Sequence, residues 1–315
     1  MRREDIIKVL ETQHTNVLSF PERGPWGSSK WRGNCSGYIQ AHLMYKYDVK
    51  KFAEVFAGSG TGSDVAKDMG VSYIGVDINP NPVRSDILCV DAIGDDVPYQ
   101  FGAADMVFMH PPYPMINIPY AGSMFPDPTG QLSKLDIGQM DWETGMKVLN
   151  GIIMKYFSTM KSGSRMGILV GEVRRNGNSY SMLNDLVKPG KLEQMFVKLQ
   201  HNCVSDGRRY AKAVTLNAAE FLIVLQKWSE YFINFTLPTK HKVDARDSKM
   251  ITWRALISAV LRENGGTLHE KEVANILRDH QKAKNTNHLD EKIRQVLQTN
   301  PEFQRVSPGT YRYAA

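Results

Sequence analysis

Cysteine is scarce in this 315-residue chain, and the three present, Cys35, Cys89 and Cys203, lie far apart. Thiols so scattered form neither a disulfide framework nor a thiolate zinc site, and they fit a reducing compartment. Long apolar runs are also missing. No stretch approaches the roughly 20 residues that cross a bilayer, and Met1-Arg2-Arg3-Glu4-Asp5 does not lead into the apolar stretch of a signal segment. A cytoplasmic protein without membrane association is therefore expected. The eight histidines show no metal-ligand spacing, so no metal is expected. Repeats and low-complexity tracts are absent. With 42% hydrophobic and 10% aromatic residues, a disordered or fibrous chain is excluded. The length suits one large domain or two smaller ones.

Charge of either sign is in only small excess, +6 overall, but it is unevenly placed. From Lys240 onward there are 14 basic and 9 acidic residues, a net of +5, against 25 and 24 before it, a net of +1. A basic final quarter beside a neutral remainder points weakly toward nucleic acid.

Apolar periodicity predicts a strand–helix alternation from Lys51. Strands are expected at 51–56, 72–76, 106–109, 166–170, 194–200 and 220–226. Helices are expected at 38–47, 63–69 and 143–160, where Val148, Ile152, Tyr156 and Met160 recur at helical spacing. Alternation of this kind implies an α/β fold, a mostly parallel sheet covered on both faces, with ligands at the carboxyl ends of its strands. Trp228–Asp247 reads as a linker. Beyond it, helices are expected at 252–262, after a Thr267-Leu268-His269-Glu270 capping box, and at 289–299. Ser307-Pro308-Gly309 marks a terminal hairpin. Three helices and a hairpin form a winged-helix pattern.

Three constellations carry chemistry. Glu54-Val55-Phe56-Ala57-Gly58-Ser59-Gly60-Thr61-Gly62 joins a strand to a helix, and its glycines allow close approach to a ligand. No Gly-Lys-Ser/Thr closes it, so it is not an ATPase phosphate loop. A dinucleotide, a nucleoside cofactor or mere tight packing would each suit it. Asp77 ends the next strand, where a carboxylate accepts from both ribose hydroxyls, and Asp91-Ala92 follows, placed to accept from an adenine amino group. Finally, His110-Pro111-Pro112-Tyr113 closes the strand Met106–Met109. The prolines lack an N–H and fix the turn, so a side chain and the Pro111 carbonyl can orient an exocyclic amine for methylation while Tyr113 stacks on an extruded base.

These motifs, in this order, resemble the cofactor and catalytic motifs of the amino-methylating (adenine N6 or cytosine N4) DNA methyltransferases, over about residues 20–228. The segment Arg23–Gly37, with Asn34 and Ser36, is similar to the family's other cofactor-contacting motif, displaced to the N-terminus. Glu220–Lys227 is similar to its last strand. The resemblance implies a Rossmann-like methyltransferase fold and S-adenosylmethionine as cofactor. It places Asn34, Ser36, Glu54, Phe56, Ala57, Gly58, Ser59, Gly60, Asp77, Asp91 and Ala92 at the cofactor, and His110, Pro111, Pro112 and Tyr113 at the reacting amine. Transfer would be direct, with no cysteine nucleophile. Four segments follow: 1–36 with the displaced motif, 37–230 for the methyltransferase domain, 231–249 as linker, and 250–315, which resembles the HARE-HTH winged helix of chromatin and restriction–modification proteins.

His110 departs from the family, which has Asp, Asn or Ser there. A neutral imidazole keeps one acceptor nitrogen, so activity is expected to fall as His110 protonates, within pH 5.5–8. The departure leaves cytosine N4 as the alternative to adenine N6. An RNA amino-methyltransferase and a DNA-binding regulator that has lost catalysis are the further alternatives. No separate target-recognition domain fits, so the loops 114–142, 172–182 and 201–212 would read a short site. Arg174, Arg175, Arg208 and Arg209 are the candidate phosphate contacts, and Lys292 and Arg294 those on the third winged-helix helix.

Overall fold

The computed structural model describes residues 1–202, 216–230, 233–238 and 251–314. The chain forms two compact units, Met1–Pro238 and Thr239–Ala315.

The first unit is built on an eight-stranded sheet. Its strands are β1 (Val17–Leu18), β2 (Lys51–Val55), β3 (Ser72–Asp77), β4 (Ile87–Cys89), β5 (Met106–Met109), β6 (Arg165–Val170), β10 (Lys191–Leu199) and β11 (Ala219–Gln226). Between β6 and β10 run a hairpin of β7 (Glu172–Arg175) and β8 (Asn178–Ser181) and the two-residue strand β9 (Lys188–Pro189). Helices α1 (Arg3–Leu10), α2 (Gly37–Lys46), α3 (Thr61–Met69) and α5 (Trp142–Thr159) accompany the sheet, with short turns α4 (Tyr120–Ser123) and α6 (Met182–Asp185). Sheet order is β1-β10-β11-β6-β5-β2-β3-β4. Strands β2 to β6 pair in parallel, and β11 runs antiparallel to both its neighbours. The fold is thus α/β with a Rossmann-like, mostly parallel sheet.

Such a sheet is buried on both faces, and the two faces carry separate cores. Ala53, Val55, Val107, Met109, Ile168 and Val170 meet α5 through Leu149, Ile153 and Tyr156. Alternate residues of the same strands, Phe52, Met106, Phe108 and Leu169, meet α2 and α3 through Ile39, Leu43 and Val65. The period-2 alternation of strand side chains separates the two sets. From β2 the chain winds outward to β3 and β4, then returns to β5 and β6 on the other side. The switch point between β2 and β5 leaves a crevice at the strands' carboxyl ends.

Several elements depart from expectation. The stretch read as a loop at 172–182 is the β7–β8 hairpin, whose alternation is too short and polar to register as strand. Strands β1 and β4 are two and three residues long, below what periodicity detects. Phe235–Thr236 (β12) pairs with β9, so this part of the segment read as linker is tied to the first unit.

The second unit holds α7 (Trp253–Glu263), β13 (Thr267–His269), α8 (Glu270–Leu277), the short α9 (Gln281–Lys284), α10 (Leu289–Thr299), β14 (Phe303–Ser307) and β15 (Thr310–Tyr313). The strands are ordered β13-β15-β14. Leu256, Val260, Val273, Leu277, Ile293, Leu297 and Phe303 form its core. The expected capping box is displaced by two residues. Thr267 lies in β13, and His269 caps α8, its ring taking the Lys271 amide while Glu272 accepts from the His269 N–H. Pairing of Thr267–His269 with β15 takes precedence over the local helix signal.

Candidate active site

A cavity of about 1180 Å³ opens at the switch point and is lined from β2, β3, β10 and β11, by the turn that follows β5, and by parts of residues 20–36 and 111–137. On one side stands the glycine loop. Phe56 has a left-handed φ of 66°, strained for a bulky residue at a cost of about 1–3 kcal/mol. The loop is held there by Ala57 N–H donating to Val76 O across β3 (3.0 Å). Gly60 caps α3 at φ 78°. Gly62 is demanded by space, because a Cβ there would lie 2.1 Å from Glu54 Oε2.

The loop closes on carboxylates. Asp77 accepts from the amides of Gly58 (2.7 Å) and Asn79 (3.0 Å). Burial raises its pKa, and these two bonds oppose that. Each oxygen keeps a lone pair for a further donor. Glu54, 3% exposed, accepts from Gln40 Nε2 and Tyr73 Oη, both at 2.6 Å. Burial outweighs these bonds and pushes its pKa to about 8, so Glu54 is a neutral acid at pH 7. The buried Gln40 Oε1 has no partner. Turned about its amide, Gln40 offers that oxygen to the Glu54 proton. Asp91 caps its own turn through Ile93 N–H (2.9 Å), with Ala92 beside it in the cavity wall.

The segment 23–36 folds onto this loop. Gly27 N–H donates to Asp64 (2.9 Å), Ser28 N–H to Ser59 Oγ (3.2 Å), and Thr61 Oγ1 to Asn34 Oδ1 (2.7 Å). Asn34 therefore grips the start of α3. Ser36 caps α2, its hydroxyl taking the Tyr38 N–H. Both side chains line the cavity with structural bonds already made. Trp31 covers Gly58 and stacks on Phe125 at 6.3 Å.

Across the cavity, His110 ends β5, followed by Pro111, Pro112 and Tyr113. Tyr113 Oη donates to Glu220 Oε1 (2.7 Å) and lies 3.4 Å from His110 Nε2. Glu220 Oε1 is itself 3.8 Å from Nε2, and Lys198 Nζ donates to Glu220 Oε2 (2.6 Å). Burial works against a charged imidazole, but the neighbouring Cys35 and the Glu220 carboxylate outweigh it and hold His110 raised, to about 10. Glu220, despite burial, is held well below the usual carboxylate range by His110 and Lys198. The expectation of a neutral His110 titrating within pH 5.5–8 is therefore corrected. A buried carboxylate that sequence reading did not pair with it moves the titration upward. Tyr113, expected to stack on an extruded base, donates its hydroxyl to Glu220.

Of the candidate phosphate contacts, Arg174 lines the cavity from the β7–β8 hairpin, and Arg175 follows it, exposed. Arg208 and Arg209 lie outside the described residues. Lys292 and Arg294 belong to the second unit. Arg294 there pairs with Glu270 of α8 (2.8 Å) and Lys292 with Gln295 (2.9 Å). Sequence reading missed Cys35, Lys198 and Glu220 as members of the site. The one signal for Glu220 was a carboxylate opening an otherwise apolar strand. Among the described residues no His, Cys, Asp and Glu cluster suits a metal ion, and no helix is long and apolar enough to cross a membrane.

No family model and no curated protein matches the chain. Among solved structures, the N-methyltransferase NodS from Bradyrhizobium japonicum is 10% identical, with 61% of this chain and 94% of that one covered and a TM-score of 0.35. A SAM-dependent methyltransferase from Archaeoglobus fulgidus is 12% identical over 60% and 93%, TM-score 0.31. TehB from Haemophilus influenzae is 11% identical over 61% and 68%, TM-score 0.33. Likeness this distant assigns no activity.

Proposed function

We propose that the chain is an S-adenosylmethionine-dependent DNA methyltransferase acting on an exocyclic amino group, adenine N6 before cytosine N4. One observation carries the reading: the glycine loop with its half-buried Asp77 and the His110–Tyr113 turn face one cavity at the sheet's switch point. The cofactor side fits a nucleoside, with Gly58 and Ser59 of the loop in the cavity wall and Asp77 lone pairs for ribose hydroxyls. When bound, S-adenosylmethionine supplies an electrophilic methyl group.

The remaining work falls to the chain. A neutral His110 and the Pro111 carbonyl accept from the amine and turn its lone pair out of conjugation with the base. Pro112 fixes their spacing. Arg174 at the rim suits a phosphate. The second unit's three longer helices, α7, α8 and α10, and its β13-β15-β14 sheet support a winged-helix reading, with Lys292 of α10 as its first DNA contact. Arg294 would have to leave Glu270 to serve.

A second reading has a specific observation behind it. A protonated His110 only donates, so a chain locked in that state would be a DNA-binding regulator. Transfer of labelled methyl to DNA and to RNA, followed by nucleoside analysis, separates these readings. Label in N6-methyladenine supports the first choice, N4-methylcytosine the alternative base, and RNA label the RNA enzyme. An inactive wild type with an active His110→Asp variant identifies His110 as a lesion.

A further inference from the structure

The first unit holds two largely enclosed histidines, His42 and His110, whose titrations move in opposite directions. His42 of α2 is 6% exposed, neither ring nitrogen has a hydrogen-bond partner, and it meets the edge of Phe196. Burial, with Lys46 nearby, lowers it to about 4. His110, with its side chain 14% exposed, moves the other way, and the difference is what faces it. Tyr113 faces it from its own turn, Cys35 from the segment before α2, Glu54 from β2, and Glu220 from β11 with Lys198 of β10 behind. Of these, Glu54 is neutral at pH 7 and Lys198 is committed to the far oxygen of Glu220. Cys35 and Glu220 are the two that raise the ring, and of these Glu220 is the carboxylate held in a hydrogen-bonded network with Tyr113 and Lys198.

The geometry is built for that contact. Glu220 is 6% exposed, and both its oxygens are occupied, Oε2 by Lys198 and Oε1 by Tyr113. The Tyr113 hydroxyl that donates to Glu220 has a lone pair left, and His110 Nε2 lies 3.4 Å from it. An Nε2–H can therefore reach the carboxylate through the Tyr113 hydroxyl, while the carboxylate acts directly by charge across 3.8 Å. Gly171 makes the room: a Cβ there would lie 3.0 Å from the Tyr113 ring and 3.4 Å from Glu220 Cγ.

We propose that Glu220 is a positioning residue that governs the proton on His110, fixing the ring with its Nε2–H toward Tyr113 and supporting the imidazolium that forms when the methylated nitrogen sheds its proton. The inference rests on the amino-methylation reading. As the amine attacks, its lone pair forms the N–C bond and the S–CH3 bond pair returns to sulfur. The nitrogen is then cationic, and one of its protons passes to the remaining lone pair of neutral His110. The ring becomes an imidazolium balanced by Glu220, as a carboxylate balances the histidine of a hydrolase triad. The same carboxylate holds the resting ring protonated, so the enzyme trades activity at neutral pH for a stronger base.

Two measurements on the full-length chain test this. The first follows the His110 ring by NMR with labelled histidine, assigned through His110→Asn. In the wild type, His110 stays protonated well above an ordinary histidine. In Glu220→Gln, which keeps the shape and removes the charge, it titrates at least about one pH unit lower, a tenfold change in the neutral fraction. In Lys198→Met, which removes the competing cation, it titrates higher. Opposite shifts cannot come from general loosening, and Lys198→Met keeps the test alive if Glu220→Gln does not fold. An unmoved His110 titration in both variants overturns the proposal whether or not the protein methylates anything. The second is single-turnover methyl transfer to an adenine-containing duplex. The wild-type rate climbs with pH through the His110 titration, and the Glu220→Gln profile moves to lower pH by the same interval. A variant profile lowered equally at all pH values means a structural role only, and overturns the proposal. A shifted titration with no transfer to any nucleic acid leaves the His110–Glu220 coupling standing and removes the amino-methylation reading.

Discussion

Glu54 and Glu220 are the same side chain, each at most 6% exposed and each in the wall of the same cavity, yet they stand in opposite charge states. On the glycine-loop side, Glu54 meets only neutral donors, Gln40 and Tyr73, and burial prevails, pushing it to about 8. On the His110 side, burial acts on Glu220 as well, but a cation at 2.6 Å and an imidazole prevail. Burial alone makes a carboxyl group an acid, and burial with a paired cation makes it a permanent charge. One cavity thus presents a neutral floor beneath the glycine loop and an ionic network beneath the reacting turn.

The largest effect is expected at the turn. His110→Ala removes the acceptor, and methyl transfer by the neutral form falls by about 100-fold to 10,000-fold, measured in single turnover at pH 9, where with His110 at about 10 roughly a tenth of the wild type is neutral. On the cofactor side, Asp77→Ala removes the ribose acceptor and the anchor of Gly58. S-adenosylmethionine affinity drops by about tenfold to 100-fold, in line with about 1.5–3 kcal/mol for a charged hydrogen bond, read by calorimetry without any nucleic acid.

The Glu54–Glu220 contrast itself is sharpened by stability against pH. The folded value of Glu54 is raised, so its contribution is full below about pH 4.5 and is lost as pH rises toward about 8. Glu54→Gln therefore flattens the fall in unfolding midpoint between pH 5 and 8. The folded value of Glu220 is depressed, so its contribution is present above about pH 4.5 and is lost in acid below that. Glu220→Gln flattens the acid side instead. Identical pH slopes in wild type and Glu54→Gln would mean that Glu54 is ionised in the fold, and the contrast would collapse. The smallest effect is at the second unit, where Lys292→Ala weakens DNA binding uniformly across sequences and reduces the salt slope by about one. An unchanged slope would take α10 off the phosphates.

Much of the fold was legible beforehand. Strand β5 and helix α10 have the bounds expected of them, since Met106–Met109 is a short apolar run closed by prolines and Leu289–Thr299 has a clean helical period. The glycine loop, Asp77 and the His110 turn were legible because each combines a local backbone demand with a strand end. Elements stabilised by pairing alone were not. β7–β8 has no apolar alternation, and Thr267 lost its capping role to a strand partner, Arg312, 45 positions along the chain.

Local chemistry written into the chain was enough for the α/β alternation, the position of the crevice and the residue types around it, because turns and periodicity act over a few neighbours. The charge states were decided elsewhere. The upward shift of His110 comes from Cys35, 75 positions before it, and from Glu220, 110 positions after it, which antiparallel pairing of β10 with β11 sets directly beside Lys198. Electrostatic energy depends on distance in space and on lost water, and only the packed sheet sets either one.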